Sequence, residues 1–110
     1  MNLYTLRTCD TCRKALAQLR AAGHDPTVTD IRADGLTPAQ IDAIVAAFGD
    51  DAVNRRSATW RNLSDDDRAL PPGDLIAAHP TVMKRPVIEV DGVWYLGWDA
   101  DVRAALAVPG

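Results

Sequence analysis

The sequence predicts an α/β fold with a mixed sheet, in the order βαβ, then several helices, then ββα. Within the first thirty residues, two short apolar runs flank a segment with apolar residues at helical spacing, which is typical of a βαβ unit. Near the other end, Asp91-Gly92 divides two β-branched and aromatic runs, as in a β-hairpin. The stretch between these parts contains capping residues, prolines and glycines at positions typical of helix starts and ends, which predicts several short helices.

The first half contains a strand, a helix and a second strand. Residues 3–6 are predicted as the first strand, and residues 11–22 carry small and apolar side chains at helical spacing up to Gly23, a helix stop. Residues 26–31 alternate as a second strand. A strand–helix–strand unit of this length predicts parallel strands joined by a right-handed crossover.

The middle of the chain is predicted to be helical. Thr37 is placed as an N-cap, with Gln40 positioned to complete a capping box, and Gly49 ends this helix. Shorter helices are predicted over residues 65–70 and 74–79, with the Pro-Pro-Gly tripeptide between them as a break.

The hairpin strands are predicted at residues 87–90 and 93–96, and a last helix at 99–107. With the helical middle treated as an insertion, this element order is that of a thioredoxin-like fold. We therefore predict one domain over residues 1–110, with the insertion at about 36–80.

Composition narrows the class of protein. The chain has 110 residues, 47% of them hydrophobic and 25% charged, and a formal net charge of −3. The acidic balance argues against a general nucleic-acid binder, and no apolar run approaches the length of a membrane span. No secretory signal is visible in the first residues. We expect a cytoplasmic monomer.

The chemistry is concentrated in Cys9 and Cys12, the only two cysteines. Because they fall between a strand and a helix, both thiols lie at a helix N-terminus, where backbone N–H groups and the helix dipole stabilise a thiolate. Cys9 is predicted to be the nucleophile and Cys12 the resolving thiol that closes a Cys9–Cys12 disulfide. Arg7, Arg13 and Lys14 are expected to add favourable positive charge.

Two other interpretations of the cysteine pair stay open. Structural zinc needs four ligands at paired spacings, whereas His24 and His79 are isolated, so no metal is expected. Alternatively, both cysteines could be inert core residues. No glycine-rich phosphate loop indicates a nucleotide cofactor.

Two basic motifs are candidates for binding an anion. Lys84, Arg85 and Pro86 precede the hairpin, and in a thioredoxin-like fold this loop lies across from the cysteine loop. Arg55 and Arg56 form the second motif, and a guanidinium suits an oxyanion or a carboxylate. For both motifs the alternative is an ordinary solvated surface.

Five motifs in order along the chain carry a resemblance to a known family. They are Cys9-Asp10-Thr11-Cys12-Arg13-Lys14-Ala15, Asp30-Ile31-Arg32-x-Asp34-Gly35-Leu36, Asn54-Arg55-Arg56-Ser57-x-Thr59-Trp60-Arg61, Lys84-Arg85-Pro86 and Leu96-Gly97-Trp98. The chain resembles the arsenate reductase ArsC-like family of the thioredoxin-like superfamily, in particular its YffB and Spx/MgsR branch.

The resemblance implies roles for individual residues. Cys9 matches the reactive cysteine, and Cys12 resembles the second cysteine of the Spx-type redox switch. Arg85 matches the arginine that contacts the oxyanion, and Pro86 is implied to be cis. Arg56 best matches the arginine of the middle motif, with Arg55 as the alternative.

The resemblance implies three alternative functions for this protein. The first is a thiol-dependent reductase that uses glutathione as co-substrate and glutathione, glutaredoxin or thioredoxin as electron donor. The second is an Spx-like redox-switch regulator that binds RNA polymerase. The third is a true arsenate reductase, although residues 93–98 lack the third active-site arginine of the glutaredoxin-dependent enzymes.

Overall fold

The computed structural model describes residues 1–109 and divides into two compact units. One unit combines Met1–Asp30 with the chain from Arg85 onward, and the other is Ile31–Lys84. The second unit includes the segment predicted as an insertion, while the single-domain organisation stays a prediction. In the described part of the chain, no helix has the length and apolar character needed to cross a bilayer.

A four-stranded mixed sheet forms the centre of the first unit. Its strands are β1 (Asn2–Thr5), β2 (Thr27–Asp30), β3 (Val87–Val90) and β4 (Val93–Leu96), in the spatial order β2-β1-β3-β4. β1 and β2 are parallel, whereas β3 is antiparallel to both β1 and β4. The predicted α/β class, the parallel first pair and the hairpin are confirmed.

Two helices complete the first unit, α1 (Asp10–Ala21) and α6 (Ala100–Ala105). Leu19 of α1 and Val102 of α6 join a buried cluster with Leu3 of β1 and Ile88 of β3. Leu19 is 0% exposed. Burial of such a side chain contributes about 1.5–3 kcal/mol, so this cluster fixes α1, and with it the cysteine pair, against the sheet.

The second unit is helical, with α2 (Pro38–Phe48), α3 (Ala58–Arg61), α4 (Asp65–Arg68) and α5 (Pro72–Ala78). The predicted capping box is present in α2. Thr37 Oγ1 accepts a hydrogen bond from the Gln40 N–H at 3.1 Å, and Gln40 Oε1 accepts one from the Thr37 N–H at 2.8 Å. Short 3₁₀ turns at Gly49–Ala52 and Pro80–Val82 connect the helices.

Several helices differ from their predictions. The helix predicted at residues 65–70 ends at Arg68, and the one predicted at residues 99–107 spans Ala100–Ala105. The helix predicted at residues 74–79 begins at Pro72, because a proline in the first turn lacks only an N–H that the helix does not use there. The Pro-Pro-Gly tripeptide separates the two helices, as predicted, and its second proline also begins α5. α3 was not predicted, since one turn shows no periodicity, although Ser57 caps it by accepting a hydrogen bond from the Trp60 N–H at 3.1 Å.

Candidate functional site

Cys9 lies where β1 gives way to α1. Its N–H donates to the Leu6 carbonyl at 2.9 Å, which closes a tight turn, and its own carbonyl accepts from the Arg13 N–H at 3.0 Å. Cys9 is therefore the N-cap residue of α1, and it is half-buried. The position predicted from the spacing is the one observed, next to the unpaired amides of the first helical turn.

The turn before Cys9 is anchored to the neighbouring strand. The Arg7 N–H donates to Oδ2 of Asp30 at 2.9 Å, and Asp30 is buried at the end of β2. Because β2 pairs in parallel with β1, both strands end at the same edge of the sheet. The carboxylate of Asp30 therefore holds the backbone that carries Cys9, a role that its place in a sequence motif did not predict.

Cys12 lies in the first turn of α1 and is only 1% exposed. Burial raises the pKa of Cys12 above the ordinary cysteine value, against the opposing hydrogen bonds from Thr5 and the Leu6 backbone. The neighbouring Cys9 sulfur raises it further. Cys12 therefore remains a thiol under conditions in which Cys9 ionises. Both cysteines are free in this structure.

Arg85 and Pro86 form the other wall of the site. The Arg85–Pro86 peptide bond is cis, as the resemblance implied, and Pro86 is fully buried. The Pro86 carbonyl accepts a hydrogen bond from the Gly97 N–H at 2.8 Å, which ties this loop to the end of β4. The Arg85 guanidinium hydrogen-bonds to the Cys9 sulfur and attracts its negative charge.

The electrostatic balance at Cys9 favours the thiolate. Burial acts to raise the pKa of Cys9, but hydrogen bonds from the Cys12 thiol and backbone N–H, together with the Arg85 guanidinium, outweigh it. The pKa of Cys9 therefore lies below the ordinary cysteine value. The two pKa values move in opposite directions, which is the arrangement expected of an attacking thiolate beside a resolving thiol.

The source of the positive charge differs from the prediction. Arg7, Arg13 and Lys14 were expected to stabilise the thiolate, but Arg85 is the cation whose charge lowers the pKa of Cys9. Arg13 forms an ion pair with Asp10 on the exposed side of α1. The prediction from neighbours in sequence was wrong because the cation that reaches the sulfur comes from more than seventy residues away.

The second basic motif, in the second unit, is organised by Asn54. Asn54 Oδ1 accepts a hydrogen bond from the Arg56 N–H at 3.0 Å, and Arg61 Nη2 donates to the Arg56 carbonyl at 3.1 Å. The Arg55 guanidinium lies 5.4 Å from the centre of the Trp60 ring. Within the described chain, the exposed guanidinium of Arg56 makes no hydrogen bond or ion pair, whereas Arg55 is engaged with an aromatic face.

The predicted site residues thus fall into two groups. Cys9, Cys12, Arg85 and Pro86 are assembled at one edge of the first unit. Arg55, Arg56 and Lys84 belong to the second unit, where the Lys84 N–H donates to the Ala52 carbonyl at 2.8 Å. The roles of the second group toward a substrate stay predictions.

The histidines do not join the cysteines in a ligand set. His79 follows the end of α5, and its Nε2 lies 3.2 Å from Oδ2 of Asp67, while His24 contacts the Leu106 carbonyl at 2.8 Å. Over residues 1–109, no group of three or more His, Cys, Asp or Glu side chains is placed to hold a metal ion.

Comparison with known proteins finds a family whose model matches most of this chain. The model of the ArsC family matches residues 4–106. A Haemophilus influenzae protein with no assigned function is 35% identical, across 97% of this chain and 99% of that protein. The global transcriptional regulator Spx of Staphylococcus epidermidis is 31% identical, across 92% of this chain and 82% of its own length.

Among solved structures, a protein named YFFB superimposes with a TM-score of 0.86 at 30% identity, across 94% of this chain and 96% of that one. Both the sequence matches and this structural match extend along nearly the whole chain.

Proposed function

The chain belongs to the ArsC family, and from that premise we propose that it is a thiol-dependent oxidoreductase with Cys9 as nucleophile. The observation that carries the proposal is the contrast between the two cysteines. Cys9 is half-buried at a helix N-terminus with a lowered pKa, and Cys12 is buried beside it with a raised pKa. An inert pair of core cysteines would not require Arg85 at one of the two sulfurs.

In the first step, the Cys9 thiolate attacks one sulfur of a disulfide, such as a mixed disulfide of glutathione. A bond forms between Cys9 Sγ and that sulfur, the substrate S–S bond breaks, and the second sulfur leaves as a thiolate. Arg85 stabilises the attacking thiolate before the step.

In the second step, Cys12 gives up its proton and attacks Cys9 Sγ. A Cys9–Cys12 disulfide forms and the second half of the substrate leaves as a thiolate, so that two electrons have passed from the cysteine pair to the substrate. Two molecules of glutathione, or the dithiol of a glutaredoxin or thioredoxin, then reduce the internal disulfide and restore both thiols.

In this proposal the substrate carries an anionic group, such as a carboxylate of glutathione. We expect Arg85 to bind this group beside Cys9, in the loop that also contains Lys84 and Pro86, and Arg56 is a second predicted anion-binding residue. The contacts favour Arg56 over Arg55 as the arginine that binds the substrate. Hydrogen bonds hold both the N–H and the carbonyl of Arg56, while its guanidinium is available to an anion. A fixed backbone reduces the entropy lost when a side chain binds a ligand.

Arsenate is a weaker candidate for the substrate. The hairpin segment from residue 93 to residue 98 contains no arginine, so it supplies no further cationic fork for a doubly charged oxyanion. We therefore favour a disulfide over arsenate.

The regulator is the second candidate, and the 31% identity to Spx favours it. In that function, the Cys9–Cys12 disulfide would act as a switch and RNA polymerase would be the partner. Specific retention of RNA polymerase on the immobilised protein, to an extent that differs between the reduced and the oxidised protein, would support the regulator.

Steady-state turnover tests the enzyme proposal. Reduction of a glutathione mixed disulfide would be followed through NADPH and glutathione reductase for the wild type and for Cys9→Ser, Arg56→Gln and Arg55→Gln. We expect no turnover in Cys9→Ser, and a KM raised about tenfold in Arg56→Gln by loss of a charged hydrogen bond, with little change in Arg55→Gln. Equal turnover in Cys9→Ser and the wild type would exclude the enzyme.

A further inference from the structure

Thr5 is a polar residue at an otherwise apolar interface between β1 and α1. It ends β1, and because side chains alternate along a strand, it lies on the same face of the sheet as Leu3. On that face Leu3 packs against Ala15 and Leu19 of α1. Thr5 is only 7% exposed. A buried hydroxyl costs free energy unless it forms a hydrogen bond, so the Thr5 side chain needs a partner inside the protein.

The partner of Thr5 is the sulfur of Cys12. The buried residues of α1 are Cys12, Ala15 and Leu19. Because β1 and β2 are parallel, the helix that connects them runs in the opposite direction, so the start of α1 lies beside the end of β1. There the Thr5 side chain and the Leu6 backbone both hydrogen-bond to the Cys12 sulfur. Two consecutive residues at the end of β1, here called the donor pair, thus contact the resolving thiol.

The surroundings of Cys12 leave few other ways to stabilise a negative charge on its sulfur. Cys12 is only 1% exposed, so water does not solvate a thiolate there. Cys9 is the titratable neighbour whose charge acts on Cys12, and Cys9 is uncharged once its sulfur is bonded to a substrate. The charge that develops on Cys12 must then be stabilised by fixed hydrogen-bond donors of the protein, as in an oxyanion hole.

We propose that the Thr5 hydroxyl, as a member of the donor pair, stabilises the Cys12 thiolate while it attacks Cys9, and so sets the rate of the resolving step. This inference rests on the proposed function. In that step a bond forms between Cys12 Sγ and Cys9 Sγ, and the bond from Cys9 Sγ to the substrate sulfur breaks. The Cys12 sulfur is oxidised, the substrate sulfur is reduced, and the leaving thiolate takes up a proton in place of the one that Cys12 loses.

Quenched-flow kinetics test the proposed effect on the rate. Reduced protein would be mixed with excess oxidised glutathione, quenched with acid and analysed by intact mass, so that formation of the glutathione adduct on Cys9 and its loss are followed separately. Thr5→Val keeps the shape of the side chain and removes its hydroxyl. It should slow loss of the adduct about tenfold at neutral pH, as expected for loss of one hydrogen bond to a charged group, and leave adduct formation unchanged. Thr5→Ser retains the hydroxyl and should restore the wild-type rate.

The pH profile of adduct loss separates this role from a structural one. A tenfold change in the thiolate fraction corresponds to one pKa unit, so the Thr5→Val profile should be displaced to higher pH by about one unit. Thr27→Val, which removes an exposed hydroxyl from β2, is the control and should give the wild-type profile. Equal rates of adduct loss in Thr5→Val and the wild type would overturn the proposal, and so would a Thr5→Ser rate as low as that of Thr5→Val.

A titration that does not depend on turnover tests the hydrogen bond alone. In Cys9→Ser, Cys12 is the only cysteine of the chain, and its ionisation would be followed by NMR through its Cβ chemical shift. We expect Cys12 to ionise about one pH unit higher when Thr5→Val is added to Cys9→Ser. Coincident titrations would overturn the proposal. A displaced titration in a protein that never forms a glutathione adduct on Cys9 would support the donor pair and refute the reductase instead.

Discussion

The contact between Arg85 and Cys9 makes a quantitative prediction about thiol reactivity. In Arg85→Gln the guanidinium charge is lost, so the Cys9 thiolate loses one charge-assisted partner and the pKa of Cys9 should rise. Such contacts contribute about 1.5–3 kcal/mol in buried settings. Because Cys9 is half-buried and solvent screens the charge, we take about 1 kcal/mol, which is about a fivefold smaller thiolate fraction below the pKa.

Alkylation by iodoacetamide measures this thiolate fraction. The rate at Cys9 would be followed by peptide mass spectrometry between pH 5 and about 9.5, a range that spans the free-cysteine pKa of about 8.5. We expect the Arg85→Gln curve to move to higher pH, with a rate about fivefold lower on the acidic side of the transition.

Arg13→Gln is the matched control for this experiment. Arg13 is close to Cys9 in sequence and lies on the same helix, but it pairs with Asp10. Its curve should coincide with that of the wild type. The reasoning is refuted if Arg85→Gln leaves the curve in place, or if Arg13→Gln moves it as far.

Three further predictions concern the second thiol, the hairpin and the core. Cys12→Ala removes a hydrogen-bond donor to the Cys9 sulfur, so the pKa of Cys9 should rise and a covalent substrate adduct on Cys9 should accumulate, visible by intact mass. The pKa of Glu89 is lowered by the Gly92 N–H and the Asn2 side chain, so its carboxylate stabilises the fold above the ordinary glutamate pKa. That stabilisation is lost as pH falls through the lowered value, and urea midpoints of the wild type and Glu89→Gln should therefore converge in acid. Leu19→Ala should lower the free energy of unfolding by about 2–5 kcal/mol in urea titrations, because it leaves a void in a cluster where Leu19 is 0% exposed.

Local signals in the sequence predicted the elements that depend on local chemistry. The Thr37–Gln40 capping box and the Asp91-Gly92 turn were both found as predicted. Asp91 and Gly92 have φ values of 51° and 83°, a pair of left-handed conformations that joins two antiparallel strands directly. The conformation of a capping box or a tight turn depends on residues only a few positions apart, so both can be predicted from the sequence before the fold is known.

Contacts between distant segments could not be predicted in the same way. The spacing placed Cys9 at a helix N-terminus, and the thioredoxin-like element order placed the loop of Arg85 across from it, but no residue near Cys9 indicated that Asp30 would hold the turn. Likewise, the positions of Arg55 and Arg56 in sequence do not reveal that the Arg55 guanidinium lies over the Trp60 ring while the Arg56 backbone is held by Asn54 and Arg61. Side-chain partners depend on how the strands and helices pack, which short motifs do not encode.

The central claim is that Cys9 attacks and Cys12 resolves, and one trapping experiment tests it most directly. The reduced protein would be mixed with one equivalent of oxidised glutathione, quenched with acid and mapped by mass spectrometry, alongside Cys12→Ser. We predict an internal Cys9–Cys12 disulfide in the wild type and a glutathione adduct on Cys9 in Cys12→Ser. An adduct on Cys12 in the wild type, or no reaction at Cys9 in either protein, would contradict the account.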